Sequence, residues 1–335
     1  MQKIAVIGAG AWGTALGHLR ATAGDDVTMW AFEDQVVEDI NVRHENRTFL
    51  PGVALPANLR ASGDMSEVVR DVHLILIVCP SHVMRSVMGQ ARDVLPRGVP
   101  LVSAAKGIEN ESLMTMSEVL EEVLSPEHHE MLAYLSGPSF AKELAQGLPT
   151  AVSLASRSER VATQVQEMLA TGYMRLYTST DIEGVELGGA LKNVMAIAAG
   201  AAAGLGLGYN TTTALITRGL AEMTRLAVKR GANPLTLAGL SGMGDLVLTC
   251  MGGLSRNRMV GEKLGKGLTL EEITRDMKQV AEGVKTAKSV HQLAHREQVE
   301  MPISEAVYRI LYEGLPAREA VGMLMGRSLK KELPH

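Results

Sequence analysis

Short apolar runs alternate with helical periodicity through the first half of the chain. Lys3–Ile7 (KIAVI) predicts a buried strand, Ala11–Ala23 a helix and Asp26–Trp30 a second strand. Val72–Val78 (VHLILIV) and Val99–Ala104 (VPLVSA) are further strands, ended by Cys79-Pro80 and Lys106-Gly107. Leu132–Leu135 runs into Ser136-Gly137-Pro138, Ala151–Ala155 follows Pro149-Thr150, and Met174–Tyr177 is a last strand. Helical patterns such as Ser81–Val94 and Leu113–Leu124 fall between them. Strands that are apolar on both faces and separated by helices predict a mainly parallel, doubly wound α/β sheet.

The pattern changes after Thr178. Periodicity becomes helical over Glu183–Ala203, Thr211–Arg230, Pro234–Leu240, Arg256–Leu264, Leu270–Asp276, Thr286–Glu297, Met301–Glu313 and Pro316–Met325, with no convincing strand. The expected organisation is an α/β nucleotide-binding domain over 1–178 and an all-α substrate domain over 179–335.

Composition narrows the class. With 335 residues, 46% hydrophobic and 21% charged, the chain suits two folded domains rather than disorder. A net charge of −4 gives no basic surface for nucleic acid. The two cysteines, Cys79 and Cys250, lie far apart, so no disulfide framework or metal cluster is expected, and a reducing compartment fits. The longest apolar run, Val194–Gly208, is too short and too rich in Gly and Ala for a membrane span. The N-terminus imitates a signal peptide, but three glycines interrupt its apolar stretch.

Those glycines, Gly8, Gly10 and Gly13 in GAGAWG, spell GxGxxG between a strand and a helix, the setting a Rossmann-type dinucleotide cradle requires. The first makes the turn, the second lets backbone approach a pyrophosphate, and the third lets the helix pack on the strand. The helix start adds free N–H groups and partial positive charge. At the end of the second strand, Glu33 stands near the place where an acid binds the ribose of NAD. Arg43 and Arg47 lie further on, either on a solvated helix face or serving the extra phosphate of NADP.

A second constellation begins at GVELGGALKN. On a helix, Lys192 shares a face with Val185, Gly188, Gly189, Met195 and Ala196, so it either snorkels to water or sits in a crowded site. Adjacent glycines cost about 1 kcal/mol each in a helix, which implies a close approach of something to that backbone. A desolvated lysine can exchange a proton near neutrality. Asp245 follows two glycines in SGMGD. Ser255 is a plausible helix cap beside Arg256, a phosphate-binding pattern. Lys106 and Ser136–Ala141 lie at strand carboxyl ends, where open α/β sheets bind ligands, and Ser139 would cap a helix starting near Ala141. Taken alone, these residues imply a nicotinamide enzyme with a lysine acid/base and a small, phosphorylated substrate.

Together GAGAWGTAL, AAKGIE, SGPSFAKELAQGLPTA, GVELGGALKN, LITRGLAEM, GMGDLVLTC, SRNR and VAEGVKTAK resemble the bacterial NAD(P)-dependent sn-glycerol-3-phosphate dehydrogenases, from residue 1 to about 328. The resemblance implies reversible reduction of dihydroxyacetone phosphate to sn-glycerol 3-phosphate in the cytoplasm, for glycerophospholipid synthesis, by an enzyme that is commonly a homodimer. It makes Lys192 the catalytic acid/base and assigns Lys106, Gly137, Ser139, Asp245, Ser255, Arg256 and Asn257 to substrate. It assigns Gly8, Gly10, Ala11, Trp12, Gly13, Phe32, Lys106, Ala141, Arg256, Val280 and Glu282 to NAD or NADP. Two positions depart from the pattern: Ala11 stands where serine is usual, and Phe32 where Arg or His often meets a 2′-phosphate. The competing readings are another two-domain reductase of the ketopantoate or hydroxyacid type and a non-catalytic nucleotide sensor.

Overall fold

The structure, a computed structural model, describes residues 1–275, 277, 281–329, 331 and 332. The chain divides into two compact units, Met1–Ala190 with Ala227–Asp245, and Leu191–Leu226 with Leu246–His335.

The first unit is built on eight strands: β1 (Lys3–Ile7), β2 (Asp26–Trp30), β3 (Leu59–Ser62), β4 (Leu74–Ile77), β5 (Leu101–Ser103), β6 (Leu132–Ser136), β7 (Thr150–Ala155) and β8 (Met174–Ser179). Their order is β3-β2-β1-β4-β5-β6-β7-β8. All neighbours are parallel except β6 and β7. The first six strands follow the doubly wound order that reverses direction between β1 and β4. Every residue of Ile4–Ile7 and Leu74–Ile77 is buried, because each strand feeds two cores. Ile4, Val6, Leu74 and Leu76 pack with Leu16, Leu19 and Val27 on one side. Ala5, Ile7, Ile75 and Ile77 pack with Met84, Met88 and Leu120 on the other.

Strand β3 was not expected from the pattern. LRAS is short and carries a charge, but its register against Val27–Trp30 buries Leu59 and Ala61. The Asn58 side chain donates to the carbonyls of Ala21 and Asp25 and so holds the strand's entry. Pro100 shortens β5 relative to its apolar run.

The described residues of the second unit form helices and loops only. Its main helices are the part of Ile182–Gly204 from Leu191 onward, the part of Tyr209–Lys229 up to Leu226, Arg256–Gly265, Glu282–Arg296 and Pro302–Tyr312. Ile182–Gly204 is long and apolar enough to cross a membrane, but 89% of its apolar window is buried inside the protein. Its Gly200 lies so close to Arg256–Gly265 that a Cβ there would stand 2.0 Å from the Arg258 carbonyl oxygen. Gly261 makes the reciprocal approach, with a Cβ falling 2.0 Å from the Ile197 oxygen. This near backbone-to-backbone crossing brings the start of the SRNR helix beside Asn193.

One buried acid in the first unit sets a pH dependence. Glu186 accepts the Ser117 backbone N–H at 3.0 Å and makes a short hydrogen bond with the Ser117 hydroxyl. Complete burial outweighs those bonds and pushes its carboxyl up to about 8. In the unfolded chain a glutamate titrates near about 4.3. Between those values the folded protein holds a proton that the unfolded chain has released, so this group's contribution weakens as pH rises through the window. Glu186→Gln is expected to gain stability relative to wild type from about pH 5 to about pH 8, read as urea midpoints. A constant difference across that range would contradict the effect.

Candidate active site

In the first unit, β1 ends at Ile7 and the chain turns through Gly8, whose φ of 114° is open to glycine but strained for other residues. A Cβ on Gly8 would lie 2.9 Å from the backbone of Val78 and Cys79 at the end of β4. A Cβ on Gly13 would lie 2.0 Å from the Gly8 oxygen, so only hydrogen fits where the helix Ala11–Thr22 crosses the turn. Gly10 is the opposite case: nothing lies within 4 Å of its missing Cβ, and the helix cap there is unfilled by any side chain. The buried Trp12 indole N–H meets no acceptor among the described residues. An open cradle at a helix N-terminus whose first N–H groups no side chain caps fits the pyrophosphate of a nicotinamide dinucleotide. Ala11 keeps its backbone N–H at that end.

Phe32 is 82% exposed just beyond β2, its ring 6.5 Å from that of Trp30. Glu33 is the N-cap residue of Asp34–Arg43. Arg43 makes a short ion pair with Asp39, and Arg47 lies 3.3 Å from Glu45. Both arginines therefore already face carboxylates.

At the carboxyl ends of β5 and β6, Lys106 Nζ donates to Asp245 Oδ2 at 2.7 Å and to the Gly137 carbonyl at 3.0 Å. Asp245 is 1% exposed and begins the helix Asp245–Met251. Gly137 has φ 150° and packs so closely on Val152 that a Cβ would stand 2.9 Å from its Cα. Ser139 does not cap the next helix as expected. The cap position is Phe140, and the Ser139 hydroxyl turns back to donate to the Gly137 carbonyl at 2.9 Å. Ala141 opens that helix. The glycine pair in GVELGGALKN is explained within this unit. A Cβ on Gly188 would lie 2.5 Å from the Ser241 carbonyl oxygen, and one on Gly189 would lie 2.5 Å from the Ser136 hydroxyl.

In the second unit, Lys192 is 7% exposed, so it does not snorkel. Its Nζ donates to the Thr249 hydroxyl at 2.8 Å. Beside it, Asn193 Oδ1 accepts from Asn257 Nδ2 at 2.9 Å, and Asn257 Oδ1 accepts the Gly283 N–H at 2.9 Å. Gly283 must be glycine here, because a Cβ would fall 2.7 Å from the Asn193 carbonyl oxygen. Ser255 caps Arg256–Gly265 as expected, accepting the Arg258 N–H at 3.2 Å. Arg256 is exposed at that helix start, and Glu282 begins Glu282–Arg296. Val280 lies outside the described residues.

Lys106, Gly137, Ser139 and Asp245 thus form one connected cluster, and Lys192 with Thr249 and Asn193 with Asn257 and Gly283 form hydrogen-bonded groups in the other unit. Thr249 and Asn193 were not singled out from the sequence. The available signal was position: Asn193 adjoins Lys192, and Thr249 stands four residues after Asp245.

A sheet in this order, turning from β1 through GxGxxG into its first helix, defines the class as a Rossmann-type dinucleotide-binding protein with a helical partner domain. Residues 3–162 match the model of the NAD-dependent glycerol-3-phosphate dehydrogenase N-terminus, and residues 181–322 match its C-terminus. The chain belongs to the NAD-dependent glycerol-3-phosphate dehydrogenase family. It is 56% identical over 328 residues to a glycerol-3-phosphate dehydrogenase [NAD(P)+] of Myxococcus xanthus, covering 98% of each chain. It is 54% identical to one from a Geobacter species, covering 99% of each. The crystal structure of glycerol-3-phosphate dehydrogenase from Coxiella burnetii is similar with a TM-score of 0.92 at 39% identity, covering 97% of this chain and 99% of that one.

Proposed function

We infer that this protein catalyses the reversible reduction of dihydroxyacetone phosphate to sn-glycerol 3-phosphate with NADH or NADPH, supplying glycerophospholipid synthesis. Family membership supports the reaction, and the observation that carries the chemistry is a buried lysine amine held by the Thr249 hydroxyl. A bound nicotinamide supplies the hydride. Lys192, as the ammonium, polarises the ketone and gives its oxygen a proton as negative charge develops there; in reverse it takes the proton back. The Ser255-capped helix start, with Arg256 and Asn257, holds the phosphate through N–H groups and a guanidinium. Lys106, ordered by Asp245 and Gly137, and Ser139 complete the substrate contacts.

Gly8, Gly10, Ala11, Trp12, Gly13, Phe32 and Ala141 bind the cofactor, with Val280 and Glu282 at its outer side. Residues 1–178 act as the nucleotide-binding part and 179–335 as the catalytic part. A homodimer and a cytoplasmic location belong to the same proposal; the latter is supported by the sparing use of cysteine, two buried residues far apart in the chain, which suits a reducing compartment.

The test is selectivity. Grip on the phosphate supplies binding energy to position the ketone, so kcat/KM for dihydroxyacetone phosphate should exceed that for dihydroxyacetone by roughly 10³-fold or more. Comparable turnover of dihydroxyacetone or ketopantoate would favour the other reductase type.

A further inference from the structure

We propose that His291, His295 and Glu305 form a binding site for a divalent transition-metal ion of the Zn²⁺ type, separate from the dehydrogenase chemistry. The two histidines are one turn apart on Glu282–Arg296, so their rings leave the same face of the helix. Glu305 comes from the next helix, Pro302–Tyr312. One ligand atom from each of the three side chains lies within 4.8 Å of the others. His291 Nδ1 is 2.6 Å from Glu305 Oε2, and His295 Nε2 is 3.8 Å from the same oxygen.

A tetrahedral zinc ion with bonds of about 2.0–2.1 Å separates its ligand atoms by about 3.3 Å. The two observed distances bracket that value, and His295, with 70% of its side chain exposed, is free to make the small rotation needed. Two imidazoles and one carboxylate are a donor set that zinc takes in proteins, leaving a fourth position for water.

Neighbouring contacts hold this set in place. The Tyr308 ring stacks on His291 at 3.8 Å with planes 5° apart, and so fixes the imidazole. Glu222 accepts the N–H groups of Ile303 and Ser304, and so anchors the turn that carries Glu305. The three residues border a cavity of about 410 Å³ with Gln298, Glu300 and Arg327, which leaves room for a water ligand. The charge of Arg327 is paired with Glu300 at 3.1 Å and so does not oppose a cation unscreened. The two histidines are four residues apart in one helix, and the pairing with the next helix brings the carboxylate to them. His291 is nine residues beyond Glu282 on this helix, about 13 Å along the axis, so the metal is not part of the proposed cofactor contacts.

A bound ion would tie the two helices and raise stability by mass action. The test titrates ZnCl₂ into chelator-treated, full-length protein, with affinity read by calorimetry and Tm read with and without zinc. Wild type is expected to take one zinc per chain at micromolar or tighter affinity and to melt higher with it. His295→Ala and Glu305→Gln are expected to bind at least about tenfold more weakly, the loss that even changes around the ligands produce at metal sites. His295 is exposed, so His295→Ala should keep the wild-type fold by circular dichroism and the wild-type rate with dihydroxyacetone phosphate. Absence of zinc uptake by wild type would overturn the proposal. Equal affinity and stoichiometry in wild type and in the double variant His291→Ala/His295→Ala would also overturn it, by placing the ion elsewhere.

Discussion

Lys192→Met is expected to lower kcat by roughly 10²–10⁴-fold, the range for losing a positioned general acid. Methionine keeps most of the buried volume and removes only the amine, so folding should be retained. The cofactor dissociation constant should stay near wild type, because no cofactor contact is assigned to this side chain. The environment makes the effect large. At 7% exposure, with Nζ bonded to Thr249, the amine cannot be replaced by bulk water. Stopped-flow or steady-state oxidation of NADH and NADPH with dihydroxyacetone phosphate reads the first quantity, and fluorescence titration with the dinucleotide reads the second. Near-normal turnover would remove Lys192 from the chemistry.

Gly13→Ala is expected to destabilise the first unit by about 3 kcal/mol, the upper part of the range for overpacking. The new Cβ would stand 2.0 Å from the Gly8 carbonyl oxygen, which is backbone and has no rotamer with which to move away. Relief requires moving the helix Ala11–Thr22 off β1, which also displaces the N–H groups that meet the pyrophosphate. Cofactor affinity should therefore fall by at least about tenfold, equivalent to roughly 1.4 kcal/mol. Gly10→Ala provides the contrast. Its φ is −68° and its Cβ meets nothing within 4 Å, so stability should change little. The added methyl instead occupies the face offered to the dinucleotide, and binding should weaken alone. Urea unfolding and dinucleotide titration of the two variants separate the roles. Equal stability of Gly13→Ala and wild type would mean that the turn relaxes in a way this geometry does not allow.

The parts of the fold that were legible in the sequence are those with strong local signals. β1 and β4 are continuous apolar runs buried on both faces, and GxGxxG has a mechanical meaning wherever it joins a strand to a helix. β3 was not legible because four residues with an arginine among them carry almost no periodicity; its existence depends on the β2 edge and on the Asn58 bridge. The two glycines before Asp245 in SGMGD lie in a π-helical segment, Leu240–Gly244, with Gly242 so close to Leu237 that a Cβ would fall 2.0 Å from its carbonyl oxygen. At the site, Lys192 was conspicuous because a charge on a small-residue helix face needs a reason. The adjacent glycines were correctly a sign of close approach, although the approaching groups are Ser136 and Ser241 of the protein itself. The pairing of Lys106 with Asp245 joins residues 139 positions apart, and no local pattern encodes such a contact. Ser139 shows the opposite limit: a serine before a short helix is a good cap candidate, and here its hydroxyl takes the Gly137 carbonyl instead.

Cofactor choice turns on a few side chains near the end of β2. Phe32 is exposed there, and both Arg43 and Arg47 face acids, so a 2′-phosphate would have to compete for either guanidinium. Rates with the two dinucleotides are therefore best measured side by side in one assay. The most direct test of the proposed activity is the stoichiometry of that reaction. Purified protein is incubated with dihydroxyacetone phosphate and each dinucleotide, and the product is identified by its chirality. The expected result is one sn-glycerol 3-phosphate formed for each NADH or NADPH oxidised. Failure to oxidise either dinucleotide at saturating dihydroxyacetone phosphate, by protein that still binds them, would contradict it.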